Sequence, residues 1–271
     1  MLENFYANKV VLITGGSMGI GKTLAWLVLK NGGKVVITGR NQERLQALSD
    51  EWSAYSSQFL AVAINVTNFE GQAALMQQIS KRFGNLDVLI NNAALSAYGR
   101  LESTDPQVIH SLIDTNIKGL LFTTRAALPL LRESKGHILF ISSLAAFYGL
   151  PDYSLYSLSK LALRALRQSL DIELAADKVN VAVAYIGFTQ NENDKRTLNP
   201  NGQEEVVPDR PAWLTFSREQ TAYSILQQIA QRKKVLIQGN FGKFLYLLSH
   251  FFPGLMRFLH LRKYGKNRQK H

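Results

Sequence analysis

Apolar positions along this chain fall into two alternating patterns. The first is a series of short, nearly continuous runs: Val10–Thr14, Val35–Thr38, Phe59–Ile64, Val88–Asn91, His137–Ser142, Val179–Tyr185 and Val235–Gln238. Runs without polar alternation suit strands covered on both faces. Between them, apolar residues recur at helical spacing, as in Leu24, Leu27 and Val28, or Leu75, Met76 and Ile79. Pro106–Leu131 reads as one long helical segment. Regular strand–helix alternation predicts an α/β fold, an open, doubly wound parallel sheet of about seven strands with helices on both faces. The stretch from Gly187 to Pro211 breaks the pattern. It is polar, carries Pro200, Pro208 and Pro211, and is expected to be a long irregular loop acting as a lid.

Charge divides the chain differently. The net charge is +11, yet no Asp or Glu follows Glu219, and ten Lys and Arg residues lie between Gln220 and His271. The body is therefore close to neutral and the C-terminal part is basic. Residues 1–239 are expected to form the catalytic domain and 240–271 a basic amphipathic helical extension. The chain has no cysteine, which excludes disulfides, thiolate metal sites and a cysteine nucleophile. No metal site is expected. The N-terminus, MLENFYANK, lacks the basic-then-apolar form of a signal peptide, so a cytoplasmic location is expected.

The segment Gly15-Gly16-Ser17-Met18-Gly19-Ile20-Gly21-Lys22-Thr23 fits two nucleotide-binding patterns. From Gly16 it reads G-x-x-x-x-G-K-T, an NTPase phosphate loop. From Thr14 it reads T-G-x-x-x-G-x-G, a dinucleotide turn. Either one would rest phosphate on N–H groups at a helix start. An NTPase also needs a strand ending in a carboxylate to hold magnesium. The candidate strands end in Asn91-Asn92 and Ser142-Ser143 instead, which disfavours the NTPase.

Tyr156 and Lys160 are four residues apart, which on a helix puts phenol and ammonium on one face. Ser143 lies thirteen residues before Tyr156, at the end of a strand. Together, Thr14-Gly15-x-x-x-Gly19-Ile20-Gly21, Asn91-Asn92-Ala93-Ala94, Asn116, Ser143 and Tyr156-x-x-x-Lys160 resemble the short-chain dehydrogenase/reductase family in order and spacing, over about residues 9–239. The resemblance implies a Rossmann-type fold and hydride transfer between a nicotinamide and a ketone or secondary alcohol. It implies that Tyr156 exchanges a proton with the substrate oxygen, that Lys160 lowers the phenol pKa and holds the nicotinamide ribose, that Ser143 bonds the substrate oxygen, and that Asn116 holds a water in a proton path. Read without the family, Asn116 is equally a helix amide bonded to backbone. The residues expected to touch cofactor are Gly15, Ser17, Met18, Gly19, Ile20, Gly21, Arg40, Asn65, Val66, Asn92, Ala93, Ala94, Tyr156, Lys160, Ile186, Gly187 and Thr189.

Cofactor choice turns on the end of the second strand. An NAD site places Asp or Glu there, about 20 residues past the glycines, to bond ribose hydroxyls. This chain has Gly39-Arg40, so no carboxylate repels a 2′-phosphate and a guanidinium can bind it. NADP(H) is the expected cofactor. Two positions depart from the family pattern: Asn65-Val66 stands where Asp-Val is usual, and Ile186-Gly187 where Pro-Gly is usual. Loss of that proline is expected to loosen the start of the lid.

Leu95, Ser96, Tyr98, Ala145, Phe147, Tyr148, Tyr153 and Phe188 are expected to wall the substrate site. That set favours a lipophilic ketone or alcohol over an anion. In the extension, Phe241, Phe244, Leu245, Leu248, Phe251 and Phe252 are expected on one helical face; Pro253-Gly254 breaks the pattern, and Leu255, Phe258 and Leu259 resume it. No run reaches the roughly 20 apolar residues needed to span a bilayer. The extension either packs on the body or a second subunit, or lies on an anionic membrane surface. Removing it after Gly239 is expected to leave the active site intact. A homo-oligomer is expected, and no nucleic-acid partner. The rival to an enzyme is a cofactor-binding sensor or scaffold of the same fold without turnover.

Overall fold

A computed structural model describes residues 2–192, 195–207 and 211–268. Pro208 and Lys270 lie outside the described residues, as do the side chains of Lys263, Lys266 and Arg268. The strands are β1 (Val10–Thr14), β2 (Lys34–Gly39), β3 (Phe59–Ala63), β4 (Val88–Asn91), β5 (His137–Ser143) and β6 (Asn180–Ile186), then the short β7 (Phe188–Thr189), β8 (Arg196–Leu198), β9 (Glu204–Val206) and β10 (Thr215–Phe216), and finally β11 (Val235–Ile237). The helices are α1 (Leu2–Tyr6), α2 (Gly19–Lys30), α3 (Gln42–Glu51), α4 (Phe69–Phe83), α5 (Pro106–Ile113), α6 (Leu120–Glu133), α7 (Ser154–Glu173), α8 (Arg218–Ala230), α9 (Gly239–Phe251) and α10 (Pro253–Arg268).

The seven expected strands form one sheet in the order β11-β6-β5-β4-β1-β2-β3. All its pairings are parallel. Alternation along β1 explains the two core layers. Val11 and Ile13 point to one face, with Leu24 and Val28 of α2 and Ile225 and Ile229 of α8. Val10 and Leu12 point to the other, with Leu75 and Ile79 of α4 and Ala127 and Leu131 of α6. Strand order reverses between β1 and β4, so a crevice opens beyond their C-terminal ends, where such sheets bind ligands.

Three sequence expectations change in detail. Leu27 is only partly buried, because α2 turns Leu24, Ala25, Val28 and Leu29 inward. The long 106–131 helix is interrupted by a π turn over Asp114–Gly119, which joins α5 to α6. The 187–211 stretch is not wholly irregular, since β8 and β9 pair as an antiparallel hairpin. Asn199 nucleates its turn: the side-chain oxygen accepts from the N–H groups of Asn201 and Gln203, both at 3.0 Å. Gly202 takes a φ of +80°, which favours glycine. Leu198 fixes the hairpin to the body, bonding with the backbone of Ser96 and Tyr98 and packing near Ala97, Val108 and Leu112.

Candidate active site

The turn after β1 is shaped by contacts that only glycine permits. A Cβ at Gly15 would stand 2.9 Å from the Ala93 Cα, and one at Gly21 would stand 2.4 Å from the Gly15 carbonyl. Gly19, at φ +54°, has nothing within 4 Å of the position its Cβ would take. The backbone is thus closed toward the sheet and open at the start of α2, where N–H groups can receive a phosphate. Thr14 and Asn92 brace the turn. The Thr14 hydroxyl accepts from the N–H groups of Asn92 and Ala93, and the Asn92 amide donates to the carbonyls of Thr14 and Gly15. These residues fit a dinucleotide.

At the end of β2, Gly39 lies against Ser17, and a Cβ there would stand 3.0 Å from the Ser17 hydroxyl. Arg40 is exposed and lines a cleft of about 540 Å³ with Asn65, Thr67 and Leu95. The hairpin covers its far side with Leu198, Asn201 and Glu204. The Arg44 guanidinium, on α3, contacts the Met18 sulfur at 3.2 Å, so a second cation stands beside the glycine turn. Val66 is buried against Gly119, and Asn65 is exposed, its side chain accepting from the Thr67 N–H.

Ser143, Tyr156 and Lys160 meet because β5 ends at Ser143 and α7 begins at Ser154. The Ser142 hydroxyl donates to the Lys160 carbonyl at 2.9 Å and ties helix to strand. Lys160 is 6% exposed. Its Nζ donates to the Ile141 carbonyl at 3.0 Å and stands 5.8 Å from the Tyr156 ring centre. Burial, and then the charge of Lys195, hold the Lys160 pKa down to about 8. Burial raises the Tyr156 phenol pKa, and a hydrogen bond with Ser143 opposes that rise. The net direction in the ligand-free chain is upward, because desolvation outweighs the Ser143 contribution, and Lys160 is not among the groups that shift the phenol.

Asn116 sits in the π turn, a feature common at functional sites. Its amide oxygen accepts from the Leu95 N–H at 2.7 Å. Its two N–H donors go to the Leu95 carbonyl and the Ser159 hydroxyl. One lone pair of the oxygen remains for a water. Ser159 in turn donates to the Tyr156 carbonyl at 2.8 Å, linking Asn116 to α7.

Beyond β6 the turn is held, not loosened. Ile186 pairs with Ser143 and extends the sheet register by one step. The Gly187 N–H donates to the Gln238 side chain at 3.0 Å, and Gln238 donates on to Thr221. The Thr189 hydroxyl bonds that same Thr221 hydroxyl. Sequence reasoning did not single out Gln238, Ser159 or Arg44. Gln238 and Ser159 act through partners far away in the chain, the Gly187 N–H and the Asn116 amide, which no local motif reveals. Arg44, four residues past Arg40 near a helix start, could have been found from its spacing.

The expected substrate wall is only partly gathered. Tyr98 and Tyr153 face each other at 6.3 Å, and the Tyr98 hydroxyl donates to Glu205 of the hairpin. Leu95 lies on the cofactor side, while Phe188 is largely exposed. Ala145 is buried, and its N–H donates to the Ser143 hydroxyl. Ser96 bonds Thr197 of the hairpin. Phe147 and Tyr148 are taken up by the C-terminal helices: Phe147 packs on Tyr246, and Tyr148 stacks on His260 at 5.1 Å. Gly242 fits closely against Leu144. The extension therefore packs on the loop between Ser143 and Tyr156.

A family model described as short chain dehydrogenase matches residues 9–201. The chain belongs to the short-chain dehydrogenase family. It is an oxidoreductase acting between alcohol and carbonyl groups with a nicotinamide cofactor. An uncharacterized oxidoreductase of Staphylococcus aureus is 34% identical over 208 residues, covering 74% of this chain and 89% of that protein. Another, from Staphylococcus saprophyticus, is 36% identical over 64% of this chain and 75% of its own length. A crystal structure of a short-chain dehydrogenase from Streptomyces avermitilis superposes with a TM-score of 0.77 at 25% identity, covering 96% of this chain and 97% of that one.

Proposed function

We propose that the chain is an NADP(H)-dependent reductase of ketones, running in reverse as a dehydrogenase of secondary alcohols, with a lipophilic small molecule as substrate. The observation that carries this reading is the convergence of Ser143, Tyr156 and Lys160 at the C-terminal edge of the sheet, the edge that also carries the glycine turn. Bound nicotinamide supplies or accepts the hydride. Tyr156 gives its phenolic proton to the substrate oxygen in reduction, and its raised pKa keeps that proton available at neutral pH. Ser143 donates a hydrogen bond to the same oxygen as charge develops there. Lys160 has N–H donors beyond the one on Ile141, and these bond the ribose hydroxyls of the cofactor. Asn116 holds a water on its remaining lone pair and so completes a proton path toward Lys160.

Preference for the 2′-phosphorylated cofactor rests on Arg40, assisted by Ser17 and the Arg44 guanidinium, with no carboxylate at Gly39. Leu121 on α6 and Leu158 and Leu161 on α7 are exposed apolar residues, which supports a homo-oligomer. No helix among the described residues is long and apolar enough to cross a membrane. The outer side of α9 and α10 carries exposed Phe241, Phe244, Leu247, Phe251, Phe258 and Leu259 among cations, which supports contact with an anionic membrane surface. The test is NADPH oxidation with a panel of ketones, for the natural chain and Tyr156→Phe. Turnover by the natural chain and a loss of about 10²–10⁴ in the variant are expected. Equal turnover in both overturns the role of Tyr156.

A further inference from the structure

The turn that follows β6 carries a closed ring of four hydrogen bonds. The Gly187 N–H donates to the Gln238 side-chain oxygen at 3.0 Å. The Gln238 side-chain nitrogen donates to the Thr221 hydroxyl at 2.9 Å. The Thr221 and Thr189 hydroxyls stand 3.1 Å apart, and the Thr189 hydroxyl lies 3.4 Å from the Gly187 carbonyl. We infer that Gln238 and Thr221 are positioning residues, which set the Thr189 hydroxyl as hydrogen donor to an acceptor oxygen of the bound cofactor. The inference rests on the reading that Thr189 touches the cofactor, and it adds two residues that act through Thr189.

Polarity follows from the donors available. An N–H can only donate, so Gly187 fixes the Gln238 amide with its oxygen toward the turn and its nitrogen toward Thr221. An amide nitrogen offers no lone pair, so the Thr221 oxygen accepts from it. Thr221 is fully buried, and Thr189 is the one further partner of its hydroxyl among the described residues. A buried hydroxyl hydrogen without an acceptor costs free energy, so Thr221 gives its hydrogen to Thr189. Thr189 therefore accepts on its oxygen and keeps its own hydrogen to donate. Within the chain that hydrogen meets the Gly187 carbonyl at 3.4 Å, beyond the usual length of such a bond. This is the weakest bond of the ring, and the one that a ligand oxygen can replace.

The ring is held from all sides. Ile186 pairs with Ser143, so the turn begins one residue beyond a rung of the sheet that carries a reacting group. Phe188 and Thr189 pair with Thr215 and Phe216 of β10. The Gln238 N–H donates to the Tyr185 carbonyl at 3.0 Å. Gly239, at φ +74°, passes so close to Phe216 that a Cβ would stand 2.7 Å from the ring. The capping box of Ser217 and Gln220 fixes the first turn of α8, which carries Thr221. A proline at position 186 would stiffen the turn by itself. With Ile186 there, the buried Gln238 does so instead.

Calorimetric titration with NADPH, NADH, the 2′-phosphate of ADP-ribose and 2′-AMP tests this relay without turnover. Thr221→Val keeps the shape of the side chain and removes the hydroxyl. It is expected to weaken NADPH and NADH by the same factor, about tenfold. Thr221→Ser, which keeps a hydroxyl, is expected to restore binding. Gln238→Glu keeps the oxygen that Gly187 needs but turns the donor to Thr221 into an acceptor, so the relay reverses and binding falls similarly. Both losses are expected to vanish in a Thr189→Val background, because the two residues act through that hydroxyl. A loss shared by phosphorylated ADP-ribose, which has the diphosphate but no nicotinamide, assigns the diphosphate oxygen as acceptor. A loss confined to the dinucleotides assigns the carboxamide oxygen. The adenosine end alone, 2′-AMP, should bind all variants alike. A loss that persists beside Thr189→Val, or extends to 2′-AMP, reports charge or general damage and overturns the relay. Unchanged dinucleotide binding in Thr221→Val overturns it too, and the Thr189 contact still stands if Thr189→Val alone weakens NADPH. Unchanged binding in Thr189→Val overturns that contact and the relay with it.

Discussion

Lys160 gives a hydrogen bond to the Ile141 carbonyl at 3.0 Å while standing 5.8 Å from the centre of the Tyr156 ring. Burial holds its pKa at about 8, far below the ordinary lysine value. The ammonium is thus within reach of losing its charge in the range where enzymes are assayed. For the free enzyme, kcat/KM reports that ionisation. We predict that kcat/KM for reduction falls as pH rises through about 8, checked by a profile from neutral to alkaline pH. Lys160→Arg, whose guanidinium stays charged, is expected to remove the fall wherever it retains activity. The stability effect has the opposite sense. A depressed lysine pKa means that the folded state carries the penalty of a buried charge at neutral pH, relieved as pH rises from about 8 toward the unfolded value. Lys160→Met is expected to abolish turnover yet raise Tm at neutral pH.

Tyr156 and Ser143 are both assigned to the substrate oxygen but are expected to fail by different amounts. Tyr156→Phe removes the only proton donor assigned to the substrate oxygen, an effect of about 10²–10⁴ in rate where general acids act. Ser143→Ala removes a donor to developing charge, an effect of about 10²–10³ in kcat in comparable sites. Both variants are expected to bind cofactor normally. Titration of NADPH fluorescence separates lost chemistry from lost binding.

Arg40 is predicted to read the 2′-phosphate. Charged hydrogen bonds of this kind are worth about 1.5–3 kcal/mol, so Arg40→Ala should weaken NADPH roughly tenfold or more and leave NADH nearly unchanged. Arg44→Ala is expected to act in the same direction, because that guanidinium lies on Met18 at the same turn. Calorimetric titration of both cofactors is the measurement. Equal loss for NADH and NADPH would place these arginines on the shared diphosphate.

His137 predicts the acid limit of the fold. It starts β5, and the Asn180 amide lies 3.0 Å from its ring. Burial, and then the charge of Arg232, hold its pKa at about 3. An imidazole so depressed takes its proton in the unfolded chain first. Stability is therefore complete above about pH 6.5 and lost as pH falls toward 3. The loss accumulated by pH 5 is about 2 kcal/mol, because each pH unit below the unfolded value costs about 1.4 kcal/mol. His137→Gln, which keeps an acceptor for Asn180, is expected to abolish that slope in urea melts between about pH 6.5 and 5.

The sheet was legible in sequence because both faces of every strand had to be apolar, and a run such as VVLIT at 10–14 admits little else. The pattern placed Ser143 at a strand end and Tyr156 and Lys160 on a helix, but their standing as a site came from the family resemblance and not from the apolar runs. Tertiary burial was not legible. The phenol pKa rises because Tyr156 is desolvated, and spacing alone does not reveal desolvation. The 196–206 hairpin was missed because its strands are three residues each and Asn199, not an apolar run, sets its turn. The facing of α9 was misjudged at its edges. Leu245 and Leu248 are half-buried beside Tyr246, whereas Phe241, Phe244, Leu247, Phe251 and Phe252 are exposed. One helix has two apolar faces here, and helical spacing cannot say which of them meets the protein.

Those two faces give a last prediction about the extension. The inner one supports the loop between Ser143 and Tyr156 through Gly242 on Leu144, Tyr246 on Phe147 and His260 on Tyr148. Truncation after Gly239 removes all three supports, so it is predicted to lower Tm and reduce activity, not to leave the site intact. Substitution on the outer face should do neither. Phe244, Phe251 and Phe258 are each more than half exposed, and Lys243, Arg257 and Arg262 lie exposed near them. On an anionic bilayer each phenylalanine that became fully buried would contribute about 1.5–3 kcal/mol, and each cation up to about 1 kcal/mol, the latter screened by salt. A variant with all three phenylalanines changed to serine is expected to keep Tm and turnover of a short ketone while losing co-sedimentation with anionic vesicles. The natural protein should sediment with them more weakly, though still measurably, at high salt. If the natural protein ignores anionic vesicles, or if the serine variant sediments equally well, the outer face does not meet lipid, and its apolar residues are left to a contact between subunits.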